Sequence, residues 1–281
     1  MTRKVQFSYR APRVAAVVTF AVTMALAGCG GDAVSGLGPA EIAERDALLE
    51  VLRTADTDAM RGAFGLLDEH SYTRYIRTEQ YDDEDYLLAY TEYVARFGFS
   101  GGERNVRLER ADSAGEFQFG FFKGFVSENV DNVDPVDLVP FVLDEDPVYL
   151  DPRNLDKYAF RELADTLLWD RQARVIEVRA RPDKGDGLNV RRVRWHIDRE
   201  TNEVVAMSLE RIDLALLFRE ESSFYVHVRQ DGDSGALPYN TRFETYIKTP
   251  FRGSYRLRTV STYTDYRHIT GGATLPDPPA P

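Results

Sequence analysis

The sequence predicts an α+β protein: an N-terminal helix packed on a strongly curved antiparallel sheet of about eleven strands. Three observations carry this. Residues 39–68 repeat apolar side chains at helical spacing, with Ile42, Leu49, Leu52, Met60, Phe64 and Leu67 falling three, four or seven apart. After Asp68 the period changes to two, in segments rich in Tyr, Phe, Val, Thr and Arg. The connections between most segments are short and hold Gly, Asp or Asn, which suits antiparallel hairpins; parallel strands need crossovers of about a dozen residues or more.

The helix opens at Pro39, whose fixed φ and missing N–H suit a first turn, and Glu41 and Glu44 favour the positive end of its dipole. A break is expected around Thr54–Asp58. The strand segments are 70–81, 86–97, 103–112, 116–124, 158–168, 173–182, 190–198, 203–213, 221–230, 240–248 and 255–267. Segment 86–97 also fits a helix, because Tyr86, Tyr90, Tyr93 and Phe97 share a helical face. Turns are placed at Gly98–Gly102, Asp112–Gly115, Asp183–Gly187, Arg199–Asn202 and Asp231–Gly235. An antiparallel sheet this wide must curl, and the helix would cover its concave apolar side. Residues 127–157 break the alternation with nine Asp or Glu and four Pro around Leu138, Val139, Phe141, Val142 and Leu143. A stretch of that kind reads as an ordered acidic flap with a short helix, and a loop so long is usually a lid or binding loop. Residues 271–281 read as a disordered tail.

The 281 residues carry a net charge of −11 and a single cysteine, Cys29. No intrachain disulfide and no cysteine zinc cluster can form. An acidic chain also lacks the basic surface that nucleic acid requires. The first thirty residues read as an address. Arg3, Lys4, Arg10 and Arg13 precede thirteen residues, Val14–Leu26, that are apolar except for Thr19 and Thr23, too short for a spanning helix and suited to a signal peptide. Leu26-Ala27-Gly28-Cys29 follows. This resembles the lipobox of bacterial lipoproteins, and the resemblance implies cleavage before Cys29 and lipidation of its sulfur. The alternative is an ordinary signal peptide with a cysteine at its cleavage site. Removing residues 1–28 takes away four positive charges and leaves −15, so acyl chains rather than electrostatics would hold the protein at a membrane. Residues 29–38 would be a flexible Gly/Ser-rich tether, and 39–270 the folded domain.

Three segments carry a second resemblance: Tyr158-Ala159-Phe160, the run from Val175 to Pro182, and Trp195-His196-Ile197-Asp198 ahead of Thr201-Asn202-Glu203. With the lipobox, the N-terminal helix and the meandering strands, the chain resembles the LolA/LolB-like lipoprotein carrier and receptor superfamily. That resemblance implies an unclosed β-barrel with a cavity for acyl chains and an outer-membrane address facing the periplasm. The acidic insert departs from it, and no site residue transfers.

Chemical motifs are sparse. His70, His196, His227 and His268 form no H-x-x-x-H or H-E-x-x-H pattern, so no metal site is signalled, and no cofactor fingerprint occurs. The acidic loops Asp183–Gly187 and Asp231–Gly235 lack the spacing of a calcium loop and suit hairpin turns. The aromatic residues are the remaining signal, with 15 Tyr and 16 Phe concentrated in strands. Phe117, Phe119, Phe121, Phe141, Phe224 and Tyr246 are the candidate lining of a lipid-sized cleft; the other reading is an ordinary core. Three functions follow from these features: a membrane-anchored, non-catalytic protein holding an acyl chain or other amphiphile; an accessory lipoprotein engaging another envelope protein; or, with no nucleophile or metal motif behind it, a hydrolase.

Overall fold

The computed structural model describes residues 38–100, 103–117, 147–184, 187–215, 218–230, 235–249 and 253–269. Cys29, the tether up to Leu37, the expected apolar part of the acidic flap and the C-terminal tail lie outside the described residues.

Helix α1 spans Pro39–Thr54 and α2 spans Asp58–Ala63. The Glu41 carboxylate accepts the Gly38 N–H at 2.9 Å, which satisfies a donor ahead of the first turn. The expected break falls between the two helices and is pinned from outside. Asp56 N–H donates to the Asn202 carbonyl, its own carbonyl accepts the Val204 N–H, and Asn202 Nδ2 donates to the Thr54 carbonyl at 2.8 Å. A 3₁₀ turn, Gly65–Glu69, leads into the sheet. Leu48, Leu49, Leu52, Met60, Ala63, Phe64 and Leu67 are buried, whereas Ile42 is 38% exposed and lies outside the buried stripe that its spacing predicted.

Ten strands are described: β1 His70–Tyr81, β2 Leu87–Ser100, β3 Glu103–Gly115, β4 Tyr158–Leu168, β5 Arg171–Ala180, β6 Val190–Asp198, β7 Val204–Ala215, β8 Phe218–Gln230, β9 Ala236–Thr249 and β10 Gly253–His268. They form one antiparallel sheet in the order β3-β2-β1-β10-β9-β8-β7-β6-β5-β4. β3 and β4 are its edges, so the sheet is unclosed. It is also curved: α1 touches β4, α2 touches β7 and β9, and the 3₁₀ turn touches β1 and β2, so one short helical segment meets both halves.

One expectation is corrected here, and the strand reading of 86–97 holds over its helical alternative. Ten strands lie among the described residues where about eleven are expected: β3 ends at Gly115, Glu116 and Phe117 are not in a strand, and the rest of segment 116–124 lies outside the described residues. Segment 86–97 is strand β2, because Tyr72, Phe97 and Ala95 share the buried face while Tyr90 and Glu92 take the other. Asp112–Gly115 is not a turn but the end of β3, paired with β2 up to Gly115↔Ala89. Gly115 has φ +74°, and a Cβ there would lie 2.0 Å from the Leu88 carbonyl oxygen, so glycine is needed for close strand approach rather than for a turn.

Topology requires a crossing connection between β3 and β4. β3 and β4 are consecutive in the chain yet sit at opposite edges of the sheet. Nine inter-strand gaps of about 4.8 Å separate them by roughly 43 Å along a flat sheet. Residues 116–157 must cross from one edge to the other, a distance that about 13 extended residues could span, so topology requires a connection here but not its full length. Their described end is ordered: Tyr149 is 3% exposed, and Asn154 Nδ2 donates to the Val148 carbonyl at 3.2 Å.

Candidate functional site

Strand alternation divides the sheet into a helix-bearing face and an opposite face. On the helix-bearing face, the buried helix residues join Tyr72, Phe97, Tyr158, Ile176, Trp195, Met207, Phe224 and Tyr263 in one apolar cluster. Tyr72 stacks on Phe97 with ring centroids 5.0 Å apart, and Phe224 meets Phe243 at the same distance. Met60 and Ala63 have no exposed surface, so helix and sheet are in direct contact rather than flanking an open cleft.

Farther along the strands the same face changes character. Ile76, Ala89, Ile247 and Leu257 are buried but belong to no part of the helix-packed cluster. Interleaved with them are buried Thr78, Gln80, Ser222, Thr241, Thr245 and Ser261. The cross-strand pairs Ile76↔Ser261, Thr78↔Thr259, Gln80↔Leu257 and Ser222↔Thr245 place them on one surface. Ser222 Oγ donates to the Glu220 carboxylate at 2.6 Å, and Arg74 Nη2 donates to Ser261 Oγ at 3.1 Å with its guanidinium 5.2 Å from the Tyr263 ring centre. This zone mixes aliphatic side chains with hydroxyl and amide groups, the lining that an amphiphile needs.

The opposite face is ionic. The Glu92 carboxylate accepts from Arg77 at 2.8 Å, from Tyr75 Oη at 3.1 Å and from Arg110. Glu79 accepts from Arg77, Tyr81 and Arg258. Burial alone would raise the Glu79 pKa, but the contacts from Arg77, Tyr81 and Arg258 outweigh it and hold the carboxyl below its usual value. A cavity of about 500 Å³ at this end is lined by Asp82, Asp83 and Asp85 of the β1–β2 turn and by Glu221, Glu244, Arg256 and Tyr246. Arg256 pairs with both Asp85 and Glu244. Such walls are unsuited to an acyl chain, which would have to displace solvated ion pairs.

The six aromatic residues singled out in the sequence fare differently. Phe224 lies on the helix-bearing face inside the apolar cluster. Tyr246 stands three residues beyond Phe243 on β9, so it falls on the opposite face, beside the charged cavity. The structure therefore does not bring these two to one surface. Phe117 is half-buried just past β3, and Phe119, Phe121 and Phe141 lie outside the described residues. What the sequence reading missed is the polar half of the inner lining. Its signal was the alternation Tyr72, Arg74, Ile76, Thr78, Gln80 in β1, in which polar side chains continue an inward-facing row.

Among the described residues no group of three His, Cys, Asp or Glu could hold a metal ion, and no helix is long and apolar enough to cross a membrane.

No family model and no curated protein matches the chain. Among solved structures it is similar to a DUF1329 family protein from Desulfovibrio piger, at 13% identity over 80% of this chain and 93% of that one, with a TM-score of 0.25. It is similar to a putative outer membrane lipoprotein-sorting protein domain from Vibrio parahaemolyticus, at 14% identity over 81% and 94%, with a TM-score of 0.28. It is also similar to MucB, at 12% identity over 74% and 92%, with a TM-score of 0.20.

Proposed function

We propose that this chain is a non-catalytic lipoprotein of the bacterial envelope, anchored through Cys29 in the outer membrane facing the periplasm, that holds an amphiphile on the helix-bearing face of its sheet. The observation that carries the reading is the change of lining along that face. Ile76, Ile247 and Leu257 offer aliphatic contact, worth about 0.8 kcal/mol per methylene of an acyl chain. The hydroxyls of Ser222, Thr245 and Ser261 stand among them, at positions suited to ester or headgroup oxygens. Phe117, Phe119, Phe121 and Phe141 would add to the apolar wall. The LolA/LolB-like resemblance of the sequence supports the same class of ligand, and the acidic mature chain argues against nucleic acid as a partner.

The test is titration of the protein with a fluorescent fatty acid, alongside native mass spectrometry for copurifying lipid. Saturable binding that weakens in Ile247→Gln and survives in Tyr246→Gln supports the assignment to this face. Absence of saturable binding in the wild type overturns it.

The accessory reading also has an observation in its favour. β3 is a sheet edge whose residues from Leu108 to Gly115 are all exposed, the geometry that accepts an added strand from a partner. The hydrolase reading has none.

A further inference from the structure

The β4–β5 turn consists of two residues, Trp169 and Asp170, with φ of 51° and 63°. Two successive positive φ values make a hairpin turn that favours Asn and Gly and disfavours a bulky aromatic residue. Trp169 is 42% exposed, with the other side of its ring packed on the sheet. The hairpin reaches back over the opposite face to β8 and β9, where the Trp169 ring meets Tyr239 edge-on at 4.3 Å and His227 at 6.3 Å, with the Arg229 guanidinium 4.6 Å from its centre. His227 also lies 5.5 Å from Tyr239 and 6.3 Å from Tyr225.

Beneath the hairpin is a row of three residues. His196 on β6, Ala206 on β7 and His227 on β8 are direct cross-strand partners, so the two imidazoles flank one methyl group on the same face. His227 is 6% exposed. Nδ1 of His196 and Nε2 of His227 are buried without a hydrogen-bond partner among the described residues.

We propose that this hairpin is an acid-released latch: neutral His196 and His227 seat Trp169 on the sheet, and their protonation frees it. The buried carboxylate nearest in sequence, Asp198 two residues along β6 on the His196 face, is already bound by Arg171 at 2.6 Å and by the Glu200 and Thr201 N–H groups. β6 contributes Arg194 and β8 contributes Arg229, both cations. Glu177 on β5 is already bound by Arg194 at 2.8 Å, and Arg242 on β9 by Glu244 at 2.6 Å. β7 presents Ala206 and Ser208, β9 adds Asn240, and the hairpin brings the Asp170 carboxylate at its tip and Arg171, which is bound by Asp198. A charge appearing here would be desolvated and repelled.

The titration follows this geometry. Burial, then the neighbouring His196, pushes the His227 pKa down to about 4; burial, then Arg194, lowers that of His196. In a released hairpin both return towards about 6.5. The latched form thus binds fewer protons, is unaffected above that value, and loses ground as pH falls from it towards 4. For one histidine the released-to-latched ratio rises by up to about tenfold per pH unit in that window.

Fluorescence of the full lipid-anchored chain in detergent reads this out, with Trp195→Phe leaving Trp169 as the sole tryptophan. Expected is a rise in acrylamide quenching of Trp169 between pH 6.5 and 4.5, at constant far-UV circular dichroism, which disappears in His196→Gln/His227→Gln. A flat response, the same response in the double variant, or loss of secondary structure with the same midpoint overturns the latch. Should a variant fail to fold, histidine NMR titration of the wild type decides: the latch requires His227 to titrate below about 6, and any higher value ends the proposal.

Discussion

Replacing Met60 by Ala tests whether the short helices are held by the sheet or merely lie near it. Met60 has no exposed surface and sits in α2, which contacts β7 and β9. Truncation removes the thioether and its methylenes from contact with the apolar cluster and leaves a space that six residues of helix, pinned at Asp56 and at the Gly65 turn, have little freedom to fill. Large-to-small changes at such sites cost about 2–5 kcal/mol, and a flexible Met at an end of the core belongs near 3 kcal/mol. For a domain of this size, that lowers Tm by roughly 6–12 °C. Ile42→Ala, on the exposed side of α1, is the control and should cost less than about 0.5 kcal/mol. Urea unfolding followed by far-UV circular dichroism measures both, with the m-value checking that the transition stays the same. Equal midpoints for the two variants, or a Met60→Ala loss below about 1 kcal/mol, would refute the claim that the sheet holds α2.

Gly115→Ala should destabilise by about 2 kcal/mol or more, because the new Cβ meets both a positive φ and the Leu88 carbonyl; urea midpoints of wild type and variant check it. Asp198→Ala should cost about 3 kcal/mol, since this 2% exposed carboxylate binds Arg171 Nε at 2.6 Å and accepts the Glu200 and Thr201 N–H groups, holding the β6–β7 turn on which the helix break is pinned; thermal unfolding reads the loss. Cys29→Ala should abolish labelling by radioactive palmitate and release the protein from the membrane fraction, and equal labelling of both proteins would remove the anchor from the proposed function.

Local chemistry was legible in the sequence wherever one short segment decides the outcome. The spans of β1, β4 and β6 coincide with the segments read from alternation, because side chains on those strands obey a period of two regardless of their neighbours. The helix break near Asp56 was visible as a lapse in the apolar repeat, although its hydrogen bonds to Asn202 were not. Gly115 was misread as a turn because glycine serves equally where two strands crowd, and only the position of the Leu88 carbonyl separates the two uses. The polar inner row of Arg74, Thr78 and Gln80 was hidden for a similar reason. Polarity in a strand normally marks the solvent side, and which face the sheet turns inward is settled by its curl and by where the helices dock. The same holds for Phe224 and Tyr246, which share aromatic character but occupy opposite faces by strand parity. That the acidic insert must cross the sheet follows from a strand order that places β3 and β4 at opposite edges, which no local signal shows. The sequence by itself determined the class of the described elements, because propensity and period are local properties. Strand order, the facing of each side chain and the seating of Trp169 over His227 depend on contacts between residues distant in the chain, and only the tertiary structure decided them.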